Sequence, residues 1–155
     1  MENGKVQSRK MEFNDLVFLK KLADESPEWK KEELINYQDI TSFVESYAQL
    51  KGKWRVWERE GETVAISFHL DKAPSNGKPW IGTVLVTKEF RRTDIGRGII
   101  QGICKECKEL GNNVVFAGVP IHQSEWMDFL SKCGFEQLKV EKSEDYSYMI
   151  MIYPL

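Results

Sequence analysis

The chain is poor in the residues that usually carry dedicated chemistry. It holds 2 histidines and 3 cysteines in 155 residues, and the C-x-x-C pair Cys104 and Cys107 lies in a helical pattern with no second pair to complete a metal site. An odd cysteine count, with no secretory pattern at Met1–Lys10, argues against a disulfide framework and for a reducing, cytoplasmic compartment. No apolar run is long enough to span a bilayer. Charge of one sign is also lacking: 22 Lys and Arg face 24 Asp and Glu, a net −2 at pH 7. That balance offers no global basic field for nucleic acid or anionic lipid. Ser-His-Asp patterns, Walker loops, internal repeats and low-complexity tracts are absent. What is present is an ordinary globular composition, 41% hydrophobic and 30% charged. Its length suits a single domain over residues 1–155 with a real core.

Periodicity supplies the elements. Lys5–Glu12 reads as a first short strand. Asn14 is placed to cap a helix carrying Leu16, Leu19, Leu22 and Ala23. Pro27 interrupts, and the Lys/Glu-rich stretch near Lys30–Glu33 reads as a solvated helix face. Ile40, Phe43, Val44, Tyr47 and Leu50 mark a second helix ending near Gly52. From Trp54 the period becomes two. Gly61 turns this strand into another, where Val64, Ile66, Phe68 and Leu70 alternate with Ala65, Ser67 and His69. Ala73–Pro79 is turn chemistry, and Trp80–Val86 is a β-branched apolar strand. Ile95, Ile99, Ile103, Cys107 and Leu110 then recur at helical spacing up to Gly111. A short strand at Val114–Val119 precedes a helix with Trp126, Phe129, Leu130 and Cys133 on one face. Two further strands, Phe135–Val140 and Tyr146–Tyr153, complete the order β-α-α-β-β-β-α-β-α-β-β, a mixed sheet flanked by helices.

The most informative segment joins the Trp80–Val86 strand to the helix that follows. Arg91-Arg92-Thr93-Asp94-Ile95-Gly96-Arg97-Gly98 is basic and contains glycine. A strand turning through such a loop into a helix aims backbone N–H groups and a positive helix end at one spot, which suits a phosphate-bearing ligand. The competing reading is a helix start with a solvated basic face. Asp94 is well placed to cap the helix, and a carboxylate there would compete with a phosphate for the same amides.

Four segments, in order, resemble the GNAT superfamily of acyl-CoA N-acyltransferases. Ser8–Leu16 looks like that family's opening strand and helix start, and Gly61-Glu62-Thr63-Val64-Ala65 is similar to its common hairpin. Phe90–Gly98 is similar to its pyrophosphate loop, Arg/Gln-x-x-Gly-x-Gly/Ala, and Lys132-Cys133-Gly134-Phe135 matches its helix exit into the sixth strand. The resemblance implies an α+β fold, that is, a mixed, mostly antiparallel sheet of about seven strands with about four flanking helices. It also implies acetyl-CoA as acyl-donor cosubstrate, no metal, and transfer to a primary amine by direct attack in a ternary complex. By the same resemblance the main chain of Val84 and Val86 binds the pantetheine arm, and Val84 supplies the oxyanion donor. Arg91, Arg92, Thr93, Asp94, Ile95, Gly96, Arg97 and Gly98 hold the diphosphate.

Several positions depart from the family pattern, and the fourth strand has no Glu that could act as a base. Asp94 replaces the first glycine of the loop. The frequent asparagine at the start of the last helix falls on Gln123, which is kept as a coenzyme-side position, and the frequent tyrosine acid falls on Leu130. His122, just after the fifth strand, is the substitute proton-transfer candidate; a surface or helix-capping histidine is the competing reading. Trp29–Tyr47 and Ser143–Tyr148 correspond to the acceptor-binding segments, with Glu32, Glu33, Asp39, Glu45, Glu144 and Asp145 suited to a small amine or peptide amine. Trp29 and Trp57 are candidate cleft residues, and Cys104 and Cys107 read as packing. No nucleic acid or membrane partner is expected, and nothing argues for or against a homodimer. The alternative function is a catalytically weak CoA-binding or regulatory module of the same fold.

Overall fold

The computed structural model of the chain describes residues 5–155; the first four, part of the stretch Met1–Lys10 read above for a leader, lie outside the described residues. In chain order the elements are β1 Gln7–Lys10, α1 Leu16–Asp24, α2 Pro27–Glu33, α3 Ile40–Ser46, β2 Lys53–Arg59, β3 Glu62–Leu70 and β4 Trp80–Val86. Then follow α4 Ile95–Glu109, β5 Val114–Pro120, α5 Ser124–Lys132, β6 Glu136–Lys142 and β7 Ser147–Pro154. The strands form one 7-stranded sheet in the order β1-β2-β3-β4-β5-β7-β6. Its β4–β5 pair is parallel, while β1–β2, β2–β3, β5–β7 and β6–β7 are antiparallel. This is the mixed, mostly antiparallel sheet expected from the sequence. Two compact units are distinguished among the described residues, one running up to His69 together with Thr83–Ile99, and one of Leu70–Gly82 with Ile100–Leu155.

In the first unit, Leu19 and Leu22 of α1 pack on Val56, Ile66 and Leu85, with Trp29, Val44 and Trp54 against them. Apart from Trp29, these residues come from apolar positions or runs read from the sequence, so burial follows the pattern. Phe43 is the hub of a ring cluster, with centroids 5.5 Å from Trp29, 5.5 Å from Tyr37 and 4.8 Å from Tyr47. β3 is buried on both faces from Val64 to His69, as a central strand must be, so Ser67 needs a partner. The indole of Trp57 donates to its hydroxyl at 2.8 Å. Trp57 is therefore an interior residue, 5% exposed, which removes it from the candidate cleft.

Two local expectations are corrected. Asn14 does not cap α1. A 3-10 turn at Phe13–Asp15 precedes the helix, and the Asp15 carboxylate accepts from the Glu12 amide at 2.8 Å. Arg9 donates to both Asp15 oxygens at 2.8 and 2.9 Å, and this fixed charge organises the turn better than a neutral amide does. Second, three helices, not two, lie between β1 and β2. Pro27 sits in the first turn of α2, where its missing N–H costs nothing, and Asp39 caps α3 by accepting from the Ser42 amide at 2.8 Å. Among the described residues there are five α-helices.

In the second unit, α4 buries Ile100, Ile103, Cys104 and Cys107, β5 buries Val115, Ala117 and Val119, and α5 buries Leu130. Gly134, past the end of α5, has φ +111, and a Cβ there would lie 2.8 Å from the Tyr153 ring. Both the backbone and the neighbour exclude a side chain, which is the physical content of the Cys133-Gly134-Phe135 exit. Among the described residues no helix is long and apolar enough to cross a membrane, and no group of three or more His, Cys, Asp or Glu could hold a metal ion.

Candidate functional site

The β4–α4 junction is built from side chains that stabilise its own backbone. β4 alternates buried Thr83 and Leu85 with half-buried Val84 and Val86. The registered pairs with β5 are Trp80↔Phe116 and Ile81↔Ala117, at the start of the strand. After β4, the Thr87 amide donates to the Val64 carbonyl at 2.9 Å, and a 3-10 turn runs over Lys88–Phe90. Arg92 then takes the left-handed conformation, φ +62, which costs a non-glycine residue about 1–2 kcal/mol.

Thr93 closes the loop. Its hydroxyl donates to the Phe90 carbonyl and accepts from the Ile95 amide at 3.3 Å. The amide of Gly98 donates to the Asp94 carbonyl at 2.9 Å. The amides of Gly96 and Arg97 lie between these, in the first turn, where an α-helix supplies no acceptor of its own. The Asp94 carboxylate is exposed and, among the described residues, makes no hydrogen bond or ion pair. Thr93, not Asp94, serves the first helical amide, so the competition anticipated from a capping carboxylate is absent.

Each loop residue has a distinct place. Arg92 is exposed, with no hydrogen bond or ion pair among the described residues, and Arg97 is exposed. Arg91 donates through Nε to the Val86 carbonyl at 3.1 Å, and through Nη2 to the Glu25 carbonyl at 2.7 Å and the Ser26 hydroxyl at 2.9 Å. Ile95 and Gly96 are buried. A Cβ on Gly98 would meet Val6 at 3.4 Å, so this glycine lets α4 approach the chain before β1. Neither the Thr93 bridge nor the Glu25–Ser26 contact was visible in the sequence, because their partners are remote or main-chain.

The remaining candidates lie elsewhere in the chain. His122 is exposed, and Gln123 is 8% exposed, its amide donating to the Pro120 carbonyl at 2.9 Å. Leu130 is 0% exposed, a core side chain where the family pattern has an acid. Cys104 and Cys107 are buried in α4, and burial, with Cys107 and Cys133 nearby, pushes the Cys104 thiol up to about 12. Such a thiol stays protonated and inert, in keeping with packing. Glu33 is half-buried on α2, and burial, reinforced by Glu32, raises its carboxyl above the usual range. The indole N–H of Trp29, one turn earlier, is buried without a partner among the described residues. A separate cavity of about 550 Å³, lined by Met11, Leu16, Val44, Trp54 and Arg55 among others, shares no residue with the loop.

Comparison with known proteins follows the same lines. The model of the acetyltransferase (GNAT) family matches residues 17–135. An uncharacterized protein of Bacillus subtilis, YkzC, is 46% identical over 138 residues, covering 88% of this chain and 96% of that protein. A spermidine N-acetyltransferase SpeG chimera from Vibrio cholerae and hSSAT has a similar fold, with TM-score 0.77 at 13% identity over 97% of this chain and 96% of that one. An acetyltransferase from Thermus thermophilus gives TM-score 0.77 at 14% identity over 100% of both chains. With its strand order, its β4–α4 junction and a family match over most of its length, the chain belongs to the GNAT family of acetyltransferases.

Proposed function

We propose that this chain is an N-acetyltransferase that moves the acetyl group of acetyl-CoA to a primary amine by direct attack in a ternary complex. The observation that carries the coenzyme side is the β4–α4 junction, where first-turn amides of α4 and the exposed guanidinium of Arg92 share one loop. Such a donor set matches a diphosphate by charge and by geometry. Gly96 and Arg97 provide main-chain donors, Arg92 and Arg97 provide charge, and Thr93 and Arg91 hold the loop in shape. Asp94 is a counter-charge that weakens the site without closing it. Val84 and Val86 lie beyond the two registered β4–β5 pairs, and their main chain is assigned to the pantetheine arm.

The reaction asks little of side chains. The ammonium form of the acceptor first gives up a proton; the neutral nitrogen then bonds to the acetyl carbon, the carbon–sulfur bond breaks, the thiolate leaves with the electron pair, and a second proton leaves the nitrogen. A main-chain donor at Val84 to the thioester oxygen contributes about 10²–10³ in rate. A thiol near pKa ~8.5 departs as thiolate without an obligatory acid, so a leucine at position 130 slows turnover without forbidding it. His122 is assigned the proton transfer. The acceptor is a small cationic amine, a reading supported by the carboxylates Glu32, Glu33, Asp39 and Glu45 in the Trp29–Tyr47 segment.

A thiol-release assay with acetyl-CoA against polyamines, aminoglycosides, amino acids and a peptide amine tests the reading. Turnover with at least one primary amine is expected, and His122→Gln lowers kcat by about 10²-fold. Coenzyme binding with no thiol release from any amine would support the alternative, a CoA-binding or regulatory module with this fold.

A further inference from the structure

We infer that Arg91 is a positioning residue that ties the turn between α1 and α2 to the phosphate loop, so that coenzyme on the loop orders the acceptor-side helix α2. The inference rests on the coenzyme reading above and adds a coupling to it. Three acceptors converge on one guanidinium. Nη2 donates to the Glu25 carbonyl at 2.7 Å and to the Ser26 hydroxyl at 2.9 Å, while Nε donates to the Val86 carbonyl at 3.1 Å. From the other side, the Glu25 carboxylate accepts from the Lys88 amide at 3.1 Å. The end of β4, the loop and the start of α2 are thus joined at one point, across a sequence separation of 66 residues between Arg91 and Glu25.

The chemistry of Ser26 strengthens the case. Ser26 precedes Pro27 and stands at the cap position of α2, yet its side chain makes no capping bond. Its hydroxyl accepts from Arg91 instead. A helix whose cap is diverted to another segment holds its first turn only as firmly as that segment is held. Only a planar fork satisfies the carbonyl of β4 and the two α1–α2 acceptors together; a lysine ammonium keeps the charge but not the geometry. All these bonds are exposed, so they add little to global stability, and their effect is local. Arg92, exposed and without a partner among the described residues, is the guanidinium left for the anion. By linkage, whatever orders the loop on coenzyme binding orders α2, and an acceptor seated on α2 tightens coenzyme to the same degree.

Hydrogen exchange read by mass spectrometry on the full chain, with and without CoA, tests this beside calorimetric CoA affinities for wild type, Arg91→Lys and Ser26→Ala. In wild type, CoA should slow exchange over Ser26–Leu34 by about fivefold. In Arg91→Lys at saturating CoA, the protection of Ser26–Leu34 should disappear, because the ammonium keeps the charge but not the fork. Ser26→Ala should fall between the two. Equal protection in wild type and Arg91→Lys overturns the inference. So does a loss of CoA affinity of about tenfold or more in Arg91→Lys, which would place the guanidinium on the ligand itself. Absence of CoA binding by wild type overturns the coenzyme reading and the coupling together, and the tie alone is then read without ligand. Faster exchange over Ser26–Leu34 in unliganded Arg91→Lys supports the tie, and unchanged exchange refutes it.

Discussion

The proposed phosphate loop and helix α5 both depart from the family pattern, but the departures have opposite consequences. In the loop, Asp94 stands where a glycine is usual, yet its carboxylate is exposed and Thr93 serves the helix start. The main-chain geometry needed for an anion survives the change. In α5, Leu130 stands where a tyrosine is usual, and it is 0% exposed. There the family pattern puts the chemistry on the side chain itself, and in this chain the position is given to packing. A function borne by backbone amides tolerates side-chain drift, whereas a function borne by one hydroxyl does not.

Changes at Leu130 should give the largest effects if that contrast holds. Leu130→Ala should cost about 2–5 kcal/mol of stability through the cavity it leaves, measured by urea unfolding of the purified chain. A loss below about 1 kcal/mol would mean that the position is not core. Next comes the support of α1, whose far end carries Glu25 to the loop. Arg9 holds the Asp15 carboxyl below its usual range through paired hydrogen bonds, with the Glu12 amide adding to it. Asp15→Asn should therefore cost about 1.5–3 kcal/mol at neutral pH. A depressed carboxylate contributes its stability above the unfolded pKa and loses it as pH falls through the folded one. The gap between wild type and Asp15→Asn should accordingly shrink as acid is added below pH ~4, and a gap that is constant with pH would show that the charge is irrelevant.

Smaller effects sharpen the loop side of the comparison. Asp94→Gly removes a like charge from the proposed, solvated phosphate site, a change of about 1 kcal/mol in high dielectric. CoA affinity should rise by about fivefold in a direct titration; an unchanged or weaker affinity would show that Asp94 does not oppose the ligand. Arg92→Gly should leave thermal stability within about 1 kcal/mol of wild type or slightly above, because relief of the φ +62 strain offsets the greater entropy of the unfolded chain. It should also weaken CoA binding and flatten its salt dependence, and an unaltered salt slope would exclude Arg92 from the site.

The elements were legible in the sequence wherever periodicity was long. The apolar stripe of α4 and the alternation of β2 and β3 located them to within a residue or two. Short polar segments were less readable. Between β1 and β2, seven-residue helices such as α2 and α3 present few buried positions, so Pro27 looked like an interruption when it is a helix start. At the loop, the glycines and arginines were visible, but their division of labour was not. Gly98 lies against Val6 and Arg91 reaches Glu25, and contacts between segments so far apart leave no mark in local spacing. Trp57 was misread for a similar reason, since its partner Ser67 lies on the neighbouring strand.

A calorimetric titration of the full chain with CoA bears most directly on the account. Saturable uptake of one CoA per chain with a dissociation constant in roughly the micromolar range, weakening as salt is raised, is the predicted result. No heat of binding at millimolar CoA, under conditions where the chain is folded, would contradict it.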